Sequence, residues 1–152
     1  MSRMPKKPAA PGHPRFADAS MKGAEFEDVD LAGARFRDVS MAKASLDDVS
    51  LEAARIHNAT FARATIDDAT YEQARIHNVT FARATFDDVD LSGARVKNAN
   101  IDGARLSDVS MRGARIQDGD LTNVEITSSK IDGLTIDGVR VDQLLKRRKA
   151  LK

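Results

Sequence analysis

From Phe16 to Val141 a large apolar residue returns at every fifth position without a slip, in the series Phe16, Met21, Phe26, Leu31, Phe36, Met41 and onward. Two residues before each stands a small one; after Phe16, Ala or Val fills 22 of the 25 such positions, with Gly119, Ser129 and Leu134 as the departures. A helix does not fit this pattern, because five residues at about 100° each rotate the apolar position by roughly 140° per repeat and leave no stripe. A flat strand does not fit either, since an odd period sends successive large residues to opposite faces. The chain must therefore turn a corner every five residues, with the large and the small residue both pointing inward. The position two after the large residue carries the matching chemistry: Asp, Asn or Gly holds 19 of its 25 sites. These residue types tolerate a left-handed backbone and satisfy turns locally.

The surface reveals how many corners close one coil. Arg precedes the large residue at eight of 26 places, and six of these, Arg15, Arg35, Arg55, Arg75, Arg95 and Arg115, share one 20-residue period. The segments that begin at Ile56 and Ile76 agree at 13 of 20 positions at that offset. Four repeats thus make one coil, and residues 16–141 make about six coils. At about 4.8 Å per stacked strand the rod is roughly 30 Å long.

On these residues the chain resembles the pentapeptide-repeat family over about 126 of its 152 positions. The resemblance implies an all-β fold, a right-handed quadrilateral β-helix. It departs from the family pattern just before the large residue, where the favoured Asp or Asn is often Ser, Thr or Arg. With no Trp and a single Tyr, the core is expected to be aliphatic with some Phe and Met. The absence of Cys excludes a disulfide framework and a cysteine nucleophile. No apolar run suggests a membrane span or a signal peptide, so a cytoplasmic protein is expected.

Both ends differ from the repeat. Residues 1–15 read as a basic, Pro-rich disordered arm and residues 142–152 as a short basic helix capping the last coil, with Asp142 as its N-cap. Leu144, Leu145 and Leu151 are expected either to cover the open core or to pair two copies. Capping is the first reading of this helix; the resemblance implies the second as the alternative, because gyrase-binding relatives dimerise through C-terminal elements, and monomer and C-terminal homodimer both stay open.

A net charge of +1 conceals a strong segregation. The first 15 residues carry +4, the last 11 carry +4, and the solenoid, with 15 bases and 22 acids, carries −7. Glu27, Asp47, Asp67 and Asp87 fall in one column and Asp28, Asp48, Asp68, Asp88 and Asp108 in the next, forming an acidic wall. Like charges stacked about 4.8 Å apart repel by about 0.9 kcal/mol per pair even in water. Turn chemistry accounts for the second column, whereas the first has no such local reason. Arg35, Arg55, Arg75, Arg95 and Arg115 form the opposing basic wall, together with Arg37, His57, His77 and Lys97. The neighbouring Asp38, Asn58, Asn78, Asn98 and Asp118 are expected to accept hydrogen bonds from it.

Catalytic, cofactor and metal sites are not indicated. His57 and His77 should stack one coil apart, but among Arg and Lys they are poor cation ligands. The expected partner is a protein, without a small-molecule substrate, and with direct nucleic-acid contact confined to the basic tails. The resemblance to quinolone-resistance members implies a DNA mimic acting on DNA gyrase or topoisomerase IV. The alternative is a general protein-interaction scaffold with no topoisomerase role.

Overall fold

The computed structural model describes residues 14–151. The chain forms an all-β, right-handed solenoid of about six coils. Nine six-residue strands come first: β1 Arg15–Ser20, β2 Glu25–Asp30, β3 Arg35–Ser40, β4 Ser45–Ser50, β5 Arg55–Thr60, β6 Thr65–Thr70, β7 Arg75–Thr80, β8 Thr85–Asp90 and β9 Arg95–Asn100. Shorter ones follow: β10 Arg105–Ser107, β11 Arg115–Gln117, β12 Glu125–Thr127, β13 Thr135–Ile136 and β14 Val139–Arg140. A helix, α1 Val141–Ala150, closes the chain.

Pairing is parallel with an offset of one coil, as in Phe36 against Ile56 and Leu46 against Ile66, except that β13 and β14 pair antiparallel. Odd-numbered strands stack into one sheet, to which β14 is added, and even-numbered strands stack into the other. A right-handed parallel crossover repeated along the chain generates this winding. The corners occur where the sequence places them. All 25 positions from Asp18 to Gly138 at steps of five have positive φ, including Lys43, Ala53, Arg63, Gln73, Arg83 and Ser128, which are not Asp, Asn or Gly.

Two kinds of corner alternate. Between strands, a β-turn such as Met41–Ala44 closes with the Ala44 N–H donating to the Met41 carbonyl at 3.0 Å, with positive φ at its third residue, as a type II turn requires. Inside each long strand, Asp38 or Asp48 bends the ladder by its left-handed φ alone, and the register steps over it. The residue before each between-strand turn often steadies it. The Asp90 carboxylate accepts from Ser92 N–H at 2.8 Å, and Asn100 Oδ1 accepts from Asp102 N–H at 2.9 Å. Thr60 and Thr70 accept more loosely, at 3.4 and 3.3 Å. Thr before the large residue therefore keeps the same role as Asp and Asn there, through a weaker acceptor.

Four walls follow from four corners. The Arg wall carries Arg35 and Arg37; the next carries Ser40 and Ala42; the acidic wall carries Ser45 and Asp47; the fourth carries Ser50 and Glu52. Inside, the large residues form columns, with Phe61 and Phe81 stacked at 5.0 Å between ring centroids. Burial is nearly complete through the middle coils and fades toward the C-terminus, where Ile126 is exposed.

The C-terminal end departs from expectation in two respects. Asp142 is not the N-cap of α1; Arg140 occupies that position and makes no side-chain cap hydrogen bond. Instead the buried Asp142 carboxylate accepts a bidentate pair from Arg140, Nε at 2.9 Å and Nη2 at 2.7 Å, and a further bond from Gly133 N–H at 3.3 Å. These bonds, the Arg140 pair foremost, hold its carboxyl well below the usual carboxylate range. The helix α1 caps the last coil as expected, with Val141 packed on the core, but Leu144, Leu145 and Leu151 stay exposed on it. The open end is plugged by Leu134, fully buried where other coils have Ala or Val, with Val141 packed against the same cluster. The arm expected over residues 1–15 lies outside the described residues up to position 13.

Candidate interaction surfaces

The acidic wall is built by register. Parallel pairing sets Glu27 beside Asp47, Asp47 beside Asp67 and Asp67 beside Asp87, with Ser107 continuing the column. These four carboxylates are exposed, and among the described residues no hydrogen bond or ion pair joins any of them to a partner. Asp28, Asp48, Asp68, Asp88 and Asp108 occupy the adjoining corner at φ between 50 and 52, apart from Asp68 at 46. Among the described residues only Asp108 of these five has a side-chain partner, the Ser107 hydroxyl at 3.2 Å. Partial desolvation, with Asp48 and Asp88 above and below, raises the Asp68 carboxyl above its ordinary value. This corner also rims an open groove of about 570 Å³ on the fourth wall, floored by Val49, Ala69, Val89 and Val109 and ending at Lys130.

The corresponding corner on the other side of the rod is chemically different. Asn58 Nδ2 donates to Asp38 Oδ1 at 2.7 Å, Asn78 Nδ2 to Asn58 Oδ1, and Asn98 Nδ2 to Asn78 Oδ1 at 3.1 Å. An amide offers both donor and acceptor, so such a column satisfies itself, as a column of carboxylates does not. This corrects the expectation that these residues would serve the Arg ladder: the amides bond to one another, and among the described residues only Arg37 reaches the corner, with Nε 3.2 Å from Asp38.

The side chains of Arg35, Arg55, Arg75, Arg95 and Arg115 are exposed and have no partner among the described residues. Beside them His57 and His77 stack at 5.1 Å between ring centroids. Among the described residues no group of three His, Cys, Asp or Glu side chains gathers to hold a metal ion. Among the described residues no helix is long and apolar enough to cross a membrane.

One charged column escaped the sequence reading. Lys43, Arg63 and Arg83 stand at consecutive levels of the corner between the second wall and the acidic wall, all with φ near 60. The signal was present, since they break the Asp, Asn or Gly rule at 20-residue spacing. They bound the acidic surface on one side, and Glu52, Glu72 and Asp90 extend it on the other, along the fourth wall.

Residues 54–136 match the family described as a pentapeptide repeat region, and residues 15–53 match pentapeptide repeats in eight copies. No curated protein matches the chain. Among solved structures, the chain is similar to the trypsin-treated R167E form of QnrB1, a plasmid-mediated fluoroquinolone resistance protein. Identity is 15%, coverage 91% of this chain and 69% of that one, and the TM-score 0.46. It is similar also to HetL from the cyanobacterium Nostoc sp. strain PCC 7120, a pentapeptide repeat protein involved in regulating heterocyst differentiation. There identity is 16%, coverage 81% and 87%, and the TM-score 0.37.

Proposed function

The chain belongs to the pentapeptide-repeat family, and from that premise we propose that it is a non-enzymatic binding protein whose acidic wall occupies a basic, nucleic-acid-binding surface of a protein partner. Type II topoisomerases, DNA gyrase or topoisomerase IV, are the partners to try first. The observation that supports this reading is the unpartnered column Glu27, Asp47, Asp67 and Asp87 beside the Asp28 to Asp108 corner. Two carboxylates per coil give about one charge per 2.4 Å of axis, against about one per 1.7 Å for duplex DNA. A rod of that charge density competes for Arg and Lys groups that otherwise hold phosphates, and its binding weakens steeply with salt.

The test is a supercoiling assay with purified gyrase and the full chain. Wild type is expected to inhibit gyrase or to compete with its DNA, and the triple variant Asp47→Lys, Asp67→Lys, Asp87→Lys is expected to lose the effect. No effect of wild type, or an undiminished effect of the variant, would return the protein to the broader reading of a protein-interaction scaffold. The Lys43, Arg63, Arg83 corner favours testing that broader reading in parallel, because a mimic of a uniform polyanion has no use for a basic edge beside its acidic wall.

A further inference from the structure

The Arg wall and the acidic wall lie on opposite sides of one rod. Arg37 and Asp47 are ten residues apart, half of a 20-residue coil, with two corners between them. Both walls are sheet faces, and the exposed side chains of the columns Arg35 to Arg115 and Glu27 to Asp87 have no partner among the described residues. Both repeat at the same interval, because each column advances by one parallel strand per coil. We infer that the Arg wall docks on the acidic wall of a second copy of this chain, so that self-association competes with any other occupant of the acidic wall.

Spacing decides between this occupant and others. Charges in both columns recur at about 4.8 Å, the distance between paired strands. Phosphates along one strand of a duplex recur at about 3.4 Å along the axis. Alternate residues of an extended acidic peptide recur at about 6.8 Å. Against the column of arginines, either of those ladders slips out of step within two or three rungs. The acidic column of another copy stays in step along its whole length. The acidic column is the shorter of the two: its four carboxylates, Glu27 to Asp87, face four of the six arginines from Arg15 to Arg115.

The geometry also fixes what kind of assembly results. A contact between two different faces is heterologous, and because the two faces point in opposite directions it does not close. Association is therefore open-ended and side by side, growing with protein concentration and dissolving as salt screens the walls. This inference rests on the acidic wall being a docking surface, but its readout needs no topoisomerase, so it fails or holds separately from the gyrase assay.

The experiment is sedimentation velocity of the full chain at low and high salt, with two charge-neutralising variants checked for native fold by circular dichroism. One is Asp47→Asn, Asp67→Asn, Asp87→Asn; the other is Arg55→Gln, Arg75→Gln, Arg95→Gln. Wild type is expected to gain mass with concentration at low salt and to return to one chain at high salt. Each variant alone is expected to weaken association by at least about tenfold. An equimolar mixture of the two is expected to form a discrete two-chain complex, because one acidic wall and one Arg wall then remain to meet. Wild type that stays a single chain at low salt would overturn the inference, as would association that survives in both variants, which assigns the contact to the exposed leucines of α1. A wild-type chain that binds an oligodeoxythymidine through the same arginines without self-associating would overturn it in favour of nucleic acid.

Discussion

Asn98 donates its side-chain amide to Asn78 Oδ1 at 3.1 Å, one coil away, while at the same level of the opposite corner Asp88 faces Asp68 with no proton to share. The backbone is the same at both places, with φ of 53 at Asn98 and 50 at Asp88. The two ladders thus isolate the effect of side-chain chemistry from that of conformation. Asp68→Asn introduces a donor between two carboxylates and is expected to raise Tm by about 1–2 °C. Asn78→Asp removes the donor to Asn58 and is expected to lower Tm by a similar amount. Thermal unfolding at low salt and at about 1 M salt, where the Debye length falls to about 3 Å, checks the assignment. The gain at Asp68 should shrink with salt, and the part of the loss at Asn78 that comes from the hydrogen bond should persist.

Stability is expected to rise on mild acidification and to fall again in stronger acid. The Asp68 carboxyl is raised in the folded chain, first by desolvation and then by Asp48 and Asp88. Its contribution is fully present below the unfolded carboxylate pKa of about 3.9 and is lost as pH rises through the folded value. Asp142 has the opposite sign. Its carboxyl is lowered, chiefly by Arg140, so its contribution is present above about 3.9 and is lost as pH falls below that. Urea midpoints measured between pH 7 and pH 3 should therefore pass through a maximum near the ordinary carboxylate pKa. In the Asp68→Asn variant the rise on the alkaline side should be smaller, and in Asp142→Asn the fall on the acid side should be smaller.

The fold was legible because one number, the period of five, controls both burial and backbone. A large residue that returns every fifth position requires a corner, and all 25 corner positions show left-handed φ even where Lys43 or Arg63 occupies them. Column membership was legible for the same reason, since addition of 20 gives the neighbour: Asp47 pairs Asp67 and His57 pairs His77. Side-chain partners were not legible. Spacing alone gives no means of telling that Asn58 turns to Asp38 rather than to an arginine, because both lie within reach of the same corner. The end of the rod was legible least. There the periodic rule stops, and Asp142, which reads as a cap, is instead drawn inward by Arg140 and Gly133.

The middle of the core holds one misfit. Tyr71 is fully buried, its hydroxyl has no hydrogen-bond partner among the described residues, and burial raises the phenol above its ordinary value. The column offers only apolar neighbours, Leu51 below and Leu91 above, one coil away on either side. A buried polar group without a partner destabilises by about 1–3 kcal/mol, and removing the oxygen while keeping the ring recovers part of that. Tyr71→Phe is expected to stabilise the chain by about 1 kcal/mol, read as a higher urea midpoint at unchanged slope. An unchanged or lower midpoint would mean that the hydroxyl is satisfied in solution.

The repeat pattern and the structure disagree about position 134. By the pattern, Leu134 is an irregularity that should revert harmlessly to the Ala found at the equivalent place in other coils, such as Ala114 directly below. In the structure Leu134 is fully buried and joins the hydrophobic core, and its carbonyl accepts from Val141 N–H at 3.1 Å, where α1 begins. Every interior coil has a further coil above it to cover its large residues, and the last coil does not. The extra methylenes of Leu134 fill that deficit, so their removal leaves a cavity beneath the helix rather than a standard repeat. Truncation of a buried Leu to Ala destabilises by about 2–5 kcal/mol, the spread reflecting how far the site collapses. Leu134→Ala is expected in the lower half of that range, because α1 can settle inward. Ala114→Leu, the same exchange in reverse one coil down, is expected to destabilise as well, by overpacking of about 1–3 kcal/mol. Denaturant melts of both variants decide the matter: a neutral Leu134→Ala would make the residue a tolerated deviation, and a loss in both would make it the plug of an open core.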